Sequence, residues 1–112
     1  MPARFLAYDL GAESGRLMLG TLSDEVLELE EIHRFPNVPL ERDGSLYWNL
    51  DSIFAEIMAG MRKVSSLGEE IVGISVDSWG VDYVLLDADG DLIPPTFHYR
   101  DSRNKAASEA VL

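Results

Sequence analysis

The stretch AYDLGAESGRLMLG, residues 7–20, decides how this chain folds. FLAYD, residues 5–9, is a short apolar run ending on one acid, Asp9, as a buried strand would. The small residues Gly11, Ala12, Ser14 and Gly15 follow, broken only by Glu13, and RLMLGTL, residues 16–22, reads as a second strand. A carboxylate at a strand end beside a nearly bare turn is the arrangement to explain. Glycine and alanine let backbone N–H groups approach anionic oxygens, and Ser14 adds a hydroxyl donor. Asp9 can orient a Mg²⁺ ion directly or through water. Arg16 can pair with a phosphate or with a neighbouring acid. An ordinary hairpin turn with a solvated aspartate is the competing reading.

Outward from this stretch the pattern continues as a meander. A turn at Ser23-Asp24 leads to VLELEEIHRF, residues 26–35, whose alternation breaks near Glu30-Glu31 and predicts a bulge. PNVPLERDGS, residues 36–45, holds two prolines and an Asp-Gly pair and reads as loop. In DSIFAEIMAGMRKV the apolar positions Ile53, Phe54, Ile57, Met58, Met61 and Val64 predict a helix with one buried stripe. Asp51 or Asn49 can cap its start, and Gly68 stands just past its end. IVGISVD, residues 71–77, is almost continuously apolar, as in a strand covered on both faces by helices. VDYVLLD, residues 81–87, predicts another strand closed by the turn ADGD. PPTFHYRDSR is loop, and DSRNKAASEAVL begins a helix for which Asp101 or Ser102 can serve as cap. The chain stops about three turns into that helix without a terminating signal, so a piece of a longer domain is expected.

A chain of 112 residues is one domain at most, and 46% hydrophobic content is enough for a core. Nine Lys and Arg against 20 Asp and Glu give a formal charge of −11, which opposes nucleic acid and anionic membranes as partners. There is no cysteine, which excludes a disulfide framework and fits a reducing cytosol. The opening MPARFLAYDLG lacks the apolar core of a signal peptide, and no apolar run is long enough to cross a bilayer.

Three antiparallel strands, a crossover helix and a buried parallel strand make the first half of a ribonuclease-H-like α/β domain, a mixed sheet with helices. Read together, YDLGAESGRLMLG, EEIHRFPN, VDSWGVDYVLLD and HYRDSR resemble the rhamnulokinases, FGGY carbohydrate kinases of the actin-like ATPase superfamily. The resemblance covers essentially the whole chain and implies that residues 1–112 are an incomplete N-terminal part of the kinase's N-domain. It implies a cytoplasmic enzyme of rhamnose metabolism that transfers the γ-phosphoryl of ATP, with Mg²⁺, to L-rhamnulose. Carried over by position, Gly11, Ala12, Glu13, Ser14, Gly15 and Arg16 match the family's ATP-phosphate loop, with Asp9 beside the metal. Glu13 should then point outward or toward the metal, since phosphates repel it. Gly80 matches the place where the backbone meets the sugar, which suits a residue without Cβ. Trp79 either walls that pocket or is a core tryptophan. Tyr99, Asp101 and Arg103 lie where sugar kinases place groups near the substrate, although Asp101 is equally read as a helix cap. His33 and His98 read as hydrogen-bonded structure. No catalytic residue is assigned here, because the resemblance places the aspartate base and the adenine pocket beyond residue 112. The chain alone is therefore expected to be inactive and, with uncovered apolar faces, to self-associate.

Two rivals come from other classes. Asp9, Glu56 and Asp77 fall on the strand, helix and strand that hold two metals in a ribonuclease-H-like nuclease. Glu56 lies away from the centre of the predicted apolar stripe, and the charge of −11 opposes a polyanion. A non-catalytic nucleotide-binding module of the actin or Hsp70 kind leaves the tryptophan-glycine and tyrosine-arginine-aspartate motifs without a purpose.

Overall fold

The computed structural model describes residues 2–111. The chain divides into two compact units, one of Met1–Asn37 with Asp51–Trp79 and the other of Val38–Leu50 with Gly80–Leu112.

The first unit is a four-stranded sheet carrying one helix. Strands β1 (Ala3–Leu10), β2 (Ser14–Ser23) and β3 (Val26–Pro36) form the antiparallel meander read from the sequence. The β2–β3 turn lies at Asp24-Glu25, one residue later than predicted, with both residues left-handed (φ 51° and 65°). That is the turn geometry matching the strands' twist. The register shifts opposite Leu17/Met18, which is the predicted bulge. Helix α1 (Leu50–Ser66) follows and ends at Gly68, whose φ of 69° closes it in the left-handed conformation. Strand β6 (Gly73–Asp77) then pairs parallel to β1, giving the order β3-β2-β1-β6. This mixed sheet with its crossover helix is the ribonuclease-H-like half-domain expected from the sequence.

Alternation divides the sheet's residues between two faces. Leu6, Tyr8, Leu17 and Leu19 face α1 and form the core with Val64, flanked by Leu10, Ile32, Ile57 and Ile71. Gly60 sets the approach of α1, since a Cβ there would lie 2.9 Å from the Tyr8 hydroxyl and 3.0 Å from a Leu17 methyl. The Tyr8 hydroxyl donates to the Ile57 carbonyl, and burial raises its pKa. The buried stripe of α1 is narrower than predicted, for Ile53, Gly60 and Val64 are buried while Phe54, Met58 and Met61 are exposed. The stripe is centred toward Gly60, a position that hydrophobicity does not mark. Strand β6 also departs from expectation. Ile74 and Val76 are exposed because β6 is the outer strand of the four, so no helix among the described residues covers it.

The second unit is built from two short hairpins and a helix. The segment read as loop contains β4 (Leu40–Arg42) and β5 (Ser45–Tyr47), joined by Asp43-Gly44 with both residues left-handed. The Asp-Gly pair was a hairpin signal. The strand predicted over 81–87 shrinks to β7 (Leu85–Leu86), paired with β8 (Leu92–Ile93). Val81 breaks it: a β-branched residue at φ 69° cannot continue a strand. Helix α2 (Arg103–Val111) begins where its cap was expected.

Candidate functional site

The first candidate site is the β1–β2 turn. Gly11 N–H donates to the Ser14 carbonyl at 2.9 Å, closing a loop of two residues, Ala12 and Glu13. Gly11 is required there, because a Cβ would stand 2.7 Å from the Ser14 oxygen. Glu13 is exposed, in keeping with an outward side chain. Gly15 differs from the role expected of it. It lies inside β2, paired with Leu10 and Phe35, and a Cβ would fall 2.3 Å from the Phe35 ring. Its bareness serves the packing of Phe35 rather than the approach of a ligand.

The carboxylate and the guanidinium are neighbours across the strands. Asp9 stands opposite Arg16 on β2 and opposite Asp77 on β6. Residues directly opposed share a face, about 5 Å apart along the row. The Arg16 guanidinium pairs with Asp9 and also donates to the Ser14 hydroxyl at 3.1 Å. The neighbouring acid, one of the two partners read for Arg16, is in contact with it. Asp9 keeps about half of its side chain exposed (53%). The row Asp9–Asp77 offers oxygen ligands of the kind Mg²⁺ accepts while retaining waters and phosphate oxygens. The sequence had placed Asp77 only in the nuclease reading. The third acid of that reading does not join it. Glu56 bonds His33 at 2.6 Å on the helix side, and the register puts Asp9 on the opposite face. Among the described residues no group of three acidic or metal-ligating side chains could hold an ion.

Protein comparisons bear on the whole chain. It matches no protein-family model. Over 110 residues it is 44% identical to the rhamnulokinase of Bacteroides thetaiotaomicron, covering 98% of this chain and 23% of that protein. The rhamnulokinase of Mannheimia succiniciproducens is 46% identical over 107 residues, covering 94% of this chain and 22% of its own. By sequence the chain belongs to the rhamnulokinase family. It spans about a fifth of the length of these relatives. Solved sugar kinases share its fold. Gluconate kinase from Lactobacillus acidophilus superposes with a TM-score of 0.78 at 13% identity, over 99% of this chain and 22% of that one. Xylulose kinase from Rhodospirillum rubrum gives 0.65 at 20% identity, over 97% of this chain and 24% of that one.

The remaining residues singled out from the rhamnulokinase resemblance are Trp79, at the edge of the first unit, and four in the second. Gly80 has no protein atom within 4 Å of its Cβ direction, so nothing in the chain's own packing explains the glycine. Trp79 is half-buried. The core tryptophan is Trp48, 4% exposed and stacked on His98 at 3.9 Å between ring centres. The Trp48 indole N–H donates to Asp82, whose carboxylate also accepts from Tyr99 N–H at 3.2 Å. Tyr99 stacks on His98 at 4.7 Å. Arg103 lies 3.5 Å over the Phe97 ring. Trp48, Asp82 and His98 thus organise this segment. The sequence reading passed over Trp48 and Asp82, because an aromatic stack between distant residues leaves no periodic signal.

Asp101 resolves toward its structural role. It is buried, and its carboxylate accepts from Leu46 N–H at 2.8 Å and Arg103 N–H at 3.3 Å, fastening β5 to the start of α2. These amides, Leu46 first, hold its pKa below the ordinary 3.8. A depressed carboxyl contributes fully above the unfolded value, and its contribution is lost as pH falls through the folded one. His98 is buried with its pKa lowered chiefly by desolvation, and its Nδ1 accepts from Arg100 N–H at 3.0 Å. Being disfavoured as a cation, it weakens the fold as pH drops below its ordinary 6.5. Urea midpoints measured from pH 7 to 2 should therefore fall in two stages. Asp101→Asn should be less stable at neutral pH and should lose the lower stage while keeping the upper one.

Proposed function

We propose that this chain is the N-terminal part of a rhamnulokinase that transfers the γ-phosphoryl of ATP to L-rhamnulose, giving L-rhamnulose 1-phosphate in the cytoplasm. The observation carrying the reading is the β1–β2 turn, held open beside Asp9 and Arg16 in a chain of rhamnulokinase sequence. Gly11, Ala12, Glu13, Ser14 and Arg16 form the phosphate turn, with Gly15 seating it on Phe35. Asp9, with Asp77 beside it, would hold Mg²⁺. That ion would neutralise charge on the transferring phosphates. Arg16, paired with Asp9, also stands within reach of a phosphate oxygen that would be bound at this turn. Gly80 leaves room for a sugar, while Tyr99 and Arg103 offer flat and cationic groups in the same unit; for Trp79 the reading rests on its place in the sequence motif alone. Asp101 shapes that segment through backbone bonds.

The test is ATP-dependent phosphorylation by the complete protein that carries this segment, with L-rhamnulose, xylulose and gluconate as acceptors. Preference for L-rhamnulose is expected, and preference for another acceptor would displace the assignment. The 112-residue chain by itself should show no turnover, since phosphoryl transfer needs several groups acting together. It should also self-associate through Leu22, Leu27, Leu29, Ile74 and Val76, all exposed on its sheet. Light scattering that finds a clean monomer would remove this last expectation. No helix among the described residues is long and apolar enough to cross a membrane.

A further inference from the structure

We infer that Asn37 is a positioning residue for nucleotide binding, setting the direction of the amide that the phosphate turn presents. The inference rests on the phosphate reading of that turn.

The motif HRFPN has work in the fold at its middle and at its last residue. Phe35, 3% exposed, covers Gly15, and Asn37, 5% exposed, reaches the turn itself. Asn37 Nδ2 donates to the Gly11 carbonyl at 2.9 Å, and Asn37 N–H donates to the Glu13 carbonyl at 2.9 Å. The carbonyls of Gly11 and Glu13, on either side of Ala12, are thus drawn to one residue. A trans peptide carries its C=O and N–H on opposite sides. Fixing the Gly11 carbonyl on Asn37 therefore turns the Ala12 N–H away from the protein's own acceptor, toward where an anion would be met.

The bend needs such a tie. The other two hairpins with two-residue turns, Asp24-Glu25 and Asp43-Gly44, place both central residues at positive φ. That geometry follows the strand twist without assistance, whereas unprimed turns splay the strands. Neither Ala12 nor Glu13 has a positive φ. Asn37 also bears a cost. Its Oδ1 is buried with no hydrogen-bond partner. A dry unpaired acceptor opposes folding, so the side chain's value lies in its donor.

Kinetics of the complete protein decide the matter. Asn37→Ser and Asn37→Asp both remove the Nδ2 donor. Each should raise KM for ATP by roughly tenfold, the order expected for losing one orienting hydrogen bond. KM for L-rhamnulose and kcat should stay within about twofold, at a temperature where circular dichroism shows the variant folded. An unchanged KM for ATP with only a lowered melting temperature makes Asn37 a structural residue and overturns the inference. Failure of both variants to fold does the same. Hydrogen exchange of the unmodified protein separates the two readings. MgADP should slow exchange at residues 10–14; if it does not, the phosphate reading fails together with this one. Protection there combined with normal ATP kinetics in both Asn37 variants removes the role of Asn37 alone.

Discussion

Asp9→Ala in the complete protein should lower kcat/KM for ATP by about 10²- to 10³-fold, the loss typical of removing one preorganised charge-stabilising group. Asp9 lies near the end of β1 with Arg16 and Asp77 directly opposite, so its place on the sheet is fixed on both sides by strand register. On the proposed reading, deleting it would remove an oxygen offered to the metal, and it leaves the Arg16 guanidinium without its acid. The Nε of that guanidinium is already buried without a partner, so little compensation is at hand. Asp9→Asn keeps the shape and loses the charge, and should fall in the same range if charge is what matters. Both variants should retain the circular dichroism and melting temperature of the parent within a few degrees, because Asp9 is exposed and its pair with Arg16 is a surface one. A loss below fivefold would show that Asp9 does not serve the phosphates.

Leu17→Ala should destabilise the protein by about 2–5 kcal/mol, through lost transfer energy and the cavity left behind. Leu17 has no exposed surface, sits opposite Tyr8 in register and touches α1 where Gly60 admits the helix. Strand and helix are pinned to each other there, so collapse around the cavity is limited and the upper part of that range is expected. Leu17→Met, close in volume, should cost less than about 1.5 kcal/mol. Urea midpoints of the complete protein read both. If alanine costs no more than methionine, the core is looser than the close approach at Gly60 implies.

The difference between these sites also shows which features the sequence could reveal. Leu17 and Tyr8 were legible as strand residues because alternation is local. The β1–β2 turn was legible because an acid followed by small residues is rare enough to raise its own question. The Asp-Gly pair that makes the β4–β5 hairpin was visible but read as loop, since the strands beside it are only three residues long. The strand expected over 81–87 failed at Val81, whose left-handed backbone contradicts its own preference for extended structure. The bond from Leu46 to Asp101, 55 residues away, has no counterpart in any local pattern.

From the sequence alone came the meander, the crossover helix with its glycine stop, the parallel strand, the family and the position of the tight β1–β2 turn. All of these depend on neighbours within a few residues or on motif order. The tertiary structure decided that Gly15 answers to Phe35, that Arg16 reaches Asp9, that Asp77 lines up beside it, and that Asn37 holds the carbonyls of Gly11 and Glu13. Each is a contact between strands or across a loop, set by register and close packing, and register is a property of the assembled sheet that no single segment encodes.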